Sequence, residues 1–326
     1  MIPRLLTSLA TALILTACDQ ATAPDSFVEV ANQGVYSVRI NHSGSAAFVG
    51  SLHHGGSYWT LNPAERHFDW NHQADSYSSL TSAAFAPGDD YVASADNRTI
   101  VLWKVSTGEA VWYWNAPGDI EDIALTENGD LALLAMSDYT ATLFDIRDGG
   151  IRQRLPHDGI VYDVSLSENG LLGASASDDL TAAVWNMNDG SRVASLKHGN
   201  QVKTAQLSPS GRLVFTSALR EPGRIWDTSK GETLVELPGG RGHFTAARFS
   251  DNEQQLLTGN TSGQIQLWDT ATGQELMRWR ATAGDNWVGN NVQVEDVGFS
   301  DTGIVAAAAN GRVYKMTDSH AGGTNR

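Results

Sequence analysis

Short apolar runs separated by Gly, Asn, Asp, Ser and Thr recur along almost the whole chain. The stretch from Phe249 to Trp279 shows the unit most clearly. Three runs in it, Leu256 to Thr258, Gln264 to Trp268 and Glu275 to Trp279, are set apart by turn-forming residues. Such a pattern predicts consecutive β-strands joined by tight turns.

The unit repeats in register. The last aromatic of the third predicted strand falls at Trp59, Trp103, Phe144, Trp185, Trp226, Trp268 and Tyr314, with spacings of 44, 41, 41, 41, 42 and 46. The apolar end of the first strand forms a second column, Ile40, Phe85, Leu125, Leu166, Leu207, Phe249 and Phe299. A third column, eleven residues after the first, reads Trp70, Trp114, Leu155, Leu196, Leu237 and Trp279. Glycine stands five residues after the first column at Gly108, Gly149, Gly190, Gly231 and Gly273, where a turn into a fourth strand calls for φ > 0. Four short strands per repeat of this length predict a β-propeller blade.

Trp226-Asp227 and Trp268-Asp269 are the WD dipeptide of WD40 repeats, Trp185-Asn186 and Phe144-Asp145 approximate it, and Ser175 to Trp185 resembles the strand before it. The chain thus resembles a seven-bladed WD40 propeller, all-β, over residues 27–317. The seventh repeat lacks a fourth strand after Tyr314, whereas Phe27 to Ala31 (FVEVA) precedes the first repeat as a fourth strand would. Residues 27–31 are therefore expected to pair with the last blade and close the ring, because an open sheet would leave exposed edges. Residues 318–326 are expected to form a disordered polar tail.

Composition adds little to the fold and more to the function. The 41% hydrophobic content is ample for a core, and the 10 Trp and 32 Gly are what a repeat spending one of each per unit would need. With 37 acidic against 22 basic residues the formal charge is −15, which repels phosphate backbones, so no nucleic-acid partner is expected.

The N-terminus carries a different signal. Arg4 precedes an apolar run, Leu5 to Leu15, too short to span a bilayer, which closes with Leu15-Thr16-Ala17-Cys18. This resembles a bacterial lipoprotein signal peptide, residues 1–17, whose cleavage would leave Cys18 to carry the acyl chains. Cys18 is the single cysteine, so no disulfide forms within the chain. Residues 18–26 read as a short flexible tether. The resemblance implies a lipid-anchored, periplasm-facing protein of the cell envelope. Asp19 resembles the inner-membrane retention signal of enteric-type sorting, with the outer membrane as the alternative.

The resemblance also implies a structural tetrad of His, Ser or Thr, Asp and Trp. Only the fourth repeat has the full set at the expected spacing: His157, Ser175 or Ser177, Asp179 and Trp185. In the fifth repeat His198 is present, but Arg220 replaces the Asp. The Gly242-His243 pair stands only six residues before Phe249. Five of the nine histidines fall between His42 and His72, on predicted turns and strands of opposite rims, so no metal site is expected. Asp122, Asp163 and Asp296 share one position, three before the end of the first strand, where the other repeats have Ser37, Ser82, Thr204 and Ala246. These acids are expected to face water in the central channel. No nucleophile elbow, phosphate loop or zinc-protease motif occurs, and neither a catalytic residue nor a cofactor is expected.

The repeat is interrupted in two places. The interval between the third column and the next first strand is longer between repeats one and two and between repeats six and seven. Both insertions fall on the rim that carries fourth-to-first and second-to-third strand loops. His72, Arg220, Asn286, Trp287 and Asn290 are the candidate partner-binding residues there, Trp being a frequent interface anchor. The expected function is a non-enzymatic interaction scaffold for an envelope protein. Two alternatives stand beside it: a ligand-binding or enzymatic propeller that uses the channel mouth, and an envelope-assembly lipoprotein of the eight-bladed quinoprotein-repeat type.

Overall fold

The computed structural model describes residues 21–73, 76–239, 242–283 and 291–317. They form 28 strands in seven four-stranded antiparallel sheets and no helix, a seven-bladed β-propeller rather than an eight-bladed one. Blade seven takes its outer strand from the start of the chain, β1 (Ser26–Glu29). Blade one is β2 (Val35–Ile40), β3 (Ala46–Ser51), β4 (Gly55–Leu61) and β5 (Ala64–Asp69), and blade two is β6 (Ser82–Phe85), β7 (Tyr91–Ala95), β8 (Thr99–Lys104) and β9 (Ala110–Asn115). Blade three is β10 (Ile120–Leu125), β11 (Leu131–Met136), β12 (Thr140–Asp145) and β13 (Gly150–Pro156), and blade four is β14 (Val161–Leu166), β15 (Leu172–Ser177), β16 (Thr181–Asn186) and β17 (Arg192–Lys197). Blade five is β18 (Val202–Leu207), β19 (Leu213–Ala218), β20 (Gly223–Asp227) and β21 (Glu232–Leu237). Blade six is β22 (Phe244–Phe249), β23 (Gln255–Asn260), β24 (Gln264–Asp269) and β25 (Glu275–Arg280). The rest of blade seven is β26 (Val294–Ser300), β27 (Gly303–Ala308) and β28 (Arg312–Met316).

The four strands of a blade read differently in sequence because they are buried differently. Second and third strands lie between neighbouring blades and are covered on both faces, so β11 (LALLAM) and β12 (TATLFD) read as nearly continuous apolar runs. Fourth strands face solvent on their outer side and alternate, as in β17, RVASLK. The core is accordingly a series of apolar wedges between blades. One joins Leu257, Ile265, Leu267 and Trp279 of blade six to Val294, Val297 and Ile304 of blade seven.

Ring closure follows the expected scheme with shifted bounds. β1 runs antiparallel to β28, with Phe27 opposite Tyr314 and Glu29 opposite Arg312. Val30 and Ala31 lie beyond the strand, and both N–H groups donate to the carbonyl of Gly311. The segment before β1, expected to be part of a flexible tether, is tied down from Thr22 onward. Thr22 bridges the edge of β25, accepting from the N–H of Arg280 at 3.2 Å and donating to the carbonyl of Arg278 at 2.9 Å. Asp25 accepts from Thr317. Cys18, Asp19 and the polar tail lie outside the described residues.

Two sets of turns show how the backbone was encoded. The glycines five residues after the Trp column have φ between 66° and 74°. At the tip of the second-to-third strand turn, blades one, six and seven also use glycine with positive φ: Gly55, Gly263 and Gly311. Blades three, four and five put Tyr139, Leu180 and Arg220 in the same left-handed conformation, at φ of 70°, 69° and 60°. For a residue with a Cβ that conformation costs about 1–2 kcal/mol.

Removal of residues 21–31 should lower the melting temperature by about 10 °C or more, since it opens the edge of blade seven and one apolar wedge. A thermal melt followed by circular dichroism checks this, and an unchanged transition would contradict closure by β1.

Candidate functional site

The seven first strands surround a central cavity of ≈ 490 Å³. The aspartate column lies there, but its side chains are not simply turned toward channel water. Each junction between blades is closed by a side chain from this position or the one beside it. Ser37 Oγ donates to the carbonyl of Leu80 at 2.8 Å, and Ser82 Oγ donates to Asp122 Oδ1 at 3.1 Å. Asp122 accepts from the Val164 N–H at 3.3 Å, and Asp163 accepts from the Ala205 N–H at 2.7 Å. Thr204 donates to the Phe244 carbonyl at 2.8 Å, and Thr245, standing in for the mute Ala246, donates to the Val294 carbonyl at 2.5 Å. Asp296 accepts from the Ile40 N–H at 2.7 Å and completes the circle. A β-bulge at this position in six of the seven first strands turns the side chain toward its neighbour.

Two arginines that the sequence reading passed over cross the cavity. Arg39 reaches over Ala84 of blade two to Asp122 of blade three at 3.1 Å and also donates to the Glu295 carbonyl of blade seven at 3.4 Å. Arg248 passes Gly298 of blade seven, donating to the carbonyls of Ile40 and Asn41 and pairing with Asp296 at 3.3 Å. A Cβ on Gly298 would sit 3.0 Å from Ile40 and 3.6 Å from the Arg248 guanidinium. Burial works against the charge of Arg39, but Asp122, Asp296, Asp163 and Glu295 together outweigh it and raise its pKa. Burial, then the neighbouring Asp122, pushes Asp163 well above the usual carboxylate range. Burial likewise raises Glu295, against the pull of Arg39.

The expected tetrad is assembled in blade four. His157 bonds Asp179 through Nδ1 at 2.8 Å and Ser175 through Nε2 at 2.7 Å, and Trp185 Nε1 donates to the same hydroxyl at 2.8 Å. Ser177 is not the partner, since its hydroxyl donates to the Gly159 carbonyl. The His157 side chain is 0% exposed, which bars a substrate from the His157–Asp179 pair.

Blade four is not alone, contrary to the expectation. In blade five His198 bonds Glu221 at 3.0 Å and Thr216 at 2.9 Å, and Trp226 donates to Thr216 at 2.7 Å. The acid is one residue later than expected, and the extra methylene of Glu spans the difference. In blade two His72 bonds Ser94 at 2.9 Å, Trp103 donates to Ser94 at 2.8 Å, and Asp96 lies 3.5 Å from the ring. His72, expected on a partner-facing rim, therefore has a side chain only 3% exposed inside a staple. Burial lowers the pKa of all three histidines; Asp179 opposes it at His157, Glu221 at His198 and Asp96 at His72. His243 takes no part in such a set; blade six keeps only the bond from Trp268 to Thr258.

The remaining histidines of blade one are dispersed. His42 lies 3.5 Å from Asp89, His54 packs edge-on against Tyr77, and His67 bonds Thr60. Among the described residues no group of three or more His, Cys, Asp or Glu side chains could hold a metal ion.

Of the rim candidates, Asn286, Trp287 and Asn290 lie outside the described residues. Arg220 is exposed at its turn and borders a pocket of ≈ 430 Å³ with Asn200, Gln201, Leu219, Gly242 and His243. Tyr139 and Leu180, at the equivalent turns of blades three and four, are 52% and 42% exposed. Leu52 and Tyr77, 38% and 67% exposed, lie on the same rim in the loops of blade one.

Residues 70–104, 150–186 and 231–269 match the WD40 family, described as WD domain, G-beta repeat. Each match runs from the start or end of one fourth strand through the third strand of the next blade, so these repeats are of WD40 type and the ring is consistent with a WD40 propeller. Comparison with curated proteins yields no match.

Two outcomes follow from these geometries. Unfolded histidine has its ordinary pKa of 6.5 and the folded values are lower, so the staples contribute their full stability above about pH 6.5 and lose it as pH falls toward the folded values. The melting temperature should drop between pH 7.5 and 5, and His157→Gln should flatten that drop while costing roughly 2 kcal/mol at pH 7.5. Arg39→Met should destabilise by roughly 3 kcal/mol at neutral pH by leaving buried carboxylates without their cation. Because Asp163 and Glu295 already have raised pKa values, that cost should shrink as pH falls and they protonate. Urea unfolding of wild type and variant at pH 5 and pH 8 checks the sign.

Proposed function

We propose that this chain is a non-enzymatic, membrane-tethered propeller of the bacterial envelope that presents its second-to-third strand rim to a protein partner. Propellers of this repeat type commonly bind proteins. The observation that carries the assignment of the rim is the arc of Tyr139, Leu180 and Arg220. Three adjacent blades hold an exposed non-glycine side chain in the left-handed conformation at this turn; Tyr139 and Leu180 stand where blade six has Gly263, five before the Trp column, and Arg220 stands one residue earlier in its longer turn. Backbone strain of this kind clusters at binding and switching sites. Tyr and Arg are also the residue types that anchor protein interfaces.

The tether rests on Leu15-Thr16-Ala17-Cys18. Only three residues separate Cys18 from Thr22, which is fixed on the edge of blade six, so a lipid on Cys18 would sit within about 14 Å of that edge. Asp19 favours retention in the inner membrane where enteric-type sorting applies. Trp287, which follows β25 in sequence, is offered as a second contact of the partner.

The triple variant Tyr139→Gly, Leu180→Gly and Arg220→Gly should relieve backbone strain, leaving stability unchanged or raised by about 1 kcal/mol, and abolish partner binding. The test is co-purification from detergent-solubilised envelope with photo-crosslinking from position 158, exposed in the loop between β13 and β14 on the same rim, comparing the protein with Tyr139, Leu180 and Arg220 intact and the triple variant. The same crosslinked species from both proteins would refute the rim assignment. Radiolabelled palmitate should enter the wild type and not Cys18→Ser, whose release into the soluble fraction is expected; no label in the wild type would refute the tether.

A further inference from the structure

Each blade ends in an outer strand whose outward edge pairs with no other strand of its sheet, and the side chains on those edges differ. The outer strands β5, β13, β17, β21, β25 and β1 all carry charged residues, as natural edges do to discourage pairing with other chains. β9 (AVWYWN) has none. Just before the third apolar column the other blades have Asp69, Arg154, Ser195, Glu236 and Arg278, whereas blade two has Tyr113. Tyr113 is 72% exposed, more than any other large hydrophobic residue described, and Val111 is 48% exposed.

The geometry of β9 leaves this edge open. Trp112 and Trp114 point toward blade three, where their rings lie 5.2 and 4.1 Å from Phe144, so Tyr113 faces the opposite side, toward blade one. Ala116 donates to the carbonyl of Arg98, and the register pairs Trp114 with Ile100 and Trp112 with Leu102. Bonding alternates along an antiparallel ladder, so Trp112 and Trp114 bond to β8 while the N–H and C=O of Tyr113 and Asn115 point outward. The molecule itself shows that such an edge accepts an extended segment: Thr22 adds to β25 through two main-chain hydrogen bonds.

We propose that β9 is a strand-addition site for an extended segment of another protein, apolar at alternate positions and neutral or basic in charge. Main-chain bonds to Tyr113 and Asn115 supply the pairing, and Tyr113 with Val111 supplies the apolar contact. The charge preference follows from the −15 formal charge of the chain. A second copy of this chain fits less well, because it would bring the same negative charge. A six-residue edge would also bury less than the roughly 1,000 Å² that a stable dimer needs. This surface lies on the circumference and is separate from the rim assigned above.

The test uses the full propeller with two fluorescein-labelled peptides, Lys-Thr-Val-Thr-Val-Thr-Lys and its counterpart with Glu at both ends, followed by anisotropy. The basic peptide should bind at least several-fold more tightly than the acidic one, and bound peptide should slow amide exchange at Tyr113 and Asn115. Tyr113→Lys and Tyr113→Ser, the latter installing the residue of blade four, should weaken binding tenfold or more with the melting temperature unchanged. Failure of both peptides to bind at millimolar concentration would overturn the proposal, as would affinity indifferent to both substitutions. Dimerisation seen by light scattering and abolished by Tyr113→Ser would assign the edge to a second copy instead.

Discussion

The ring depends on a single repeated constraint: every blade must be latched to the next at its innermost strand. A four-stranded sheet with both faces apolar cannot stand alone, and the wedges between blades supply attraction without direction. The latch supplies the direction. Ser37, Ser82, Asp122, Asp163, Thr204, Thr245 and Asp296 each bond a group of the following blade, at 2.5–3.3 Å. A main-chain N–H or carbonyl facing the channel would otherwise lack a partner, and an unmet buried group costs about 1–3 kcal/mol. The bulge that turns each side chain is therefore part of the closure.

Closure creates an electrostatic problem that Arg39 and Arg248 offset. Three of the latches are carboxylates, and Glu295 adds a fourth acid beside them. Each arginine reaches past a neighbouring blade whose residue at that level is small, Ala84 or Gly298; Arg39 meets Asp122 on the blade beyond, and Arg248 pairs with Asp296 of blade seven while donating to carbonyls of blade one. The staples work within blades in the same manner. His157, His198 and His72 each hold a hydroxyl that in turn receives the Trp N–H, so the polar atom of the largest core residue is satisfied where it is buried.

Architecture was legible because strand burial and turn geometry leave local traces. The Trp and Gly columns gave blade number, phase and the closing strand. Partnerships between repeats left weaker traces. Asp122 looks like a channel acid because its hydrogen-bond partner is a main-chain N–H some forty residues away, and a main-chain group has no signature in sequence. His72 was obscured by the insertion after it, which carries it to thirteen residues before Phe85 where His157 is nine before Leu166. Glu221 was missed because its side chain reaches one position further than Asp. Tyr113 was visible in the alignment of repeats as an aromatic in a polar column, yet its meaning needed the direction of the neighbouring Trp112 and Trp114. The strain at Tyr139, Leu180 and Arg220 had no sequence trace beyond the absence of glycine.

These constraints also bear on where function can reside. A ligand entering the central cavity would have to compete with Arg39–Asp122 and Arg248–Asp296, pairs that also hold blades together, so binding there would be coupled to loosening of the ring. The buried staples offer no open donor or acceptor at His157 or His198. The outer surfaces are under no such obligation. The turn tips of blades three to five and the uncharged edge of blade two are two places on those surfaces where residue choice departs from what folding alone favours, one by accepting backbone strain and the other by omitting the charges that protect an edge. Departures that the fold does not require, on surfaces it leaves free, are where selection for binding would be expected to leave its mark.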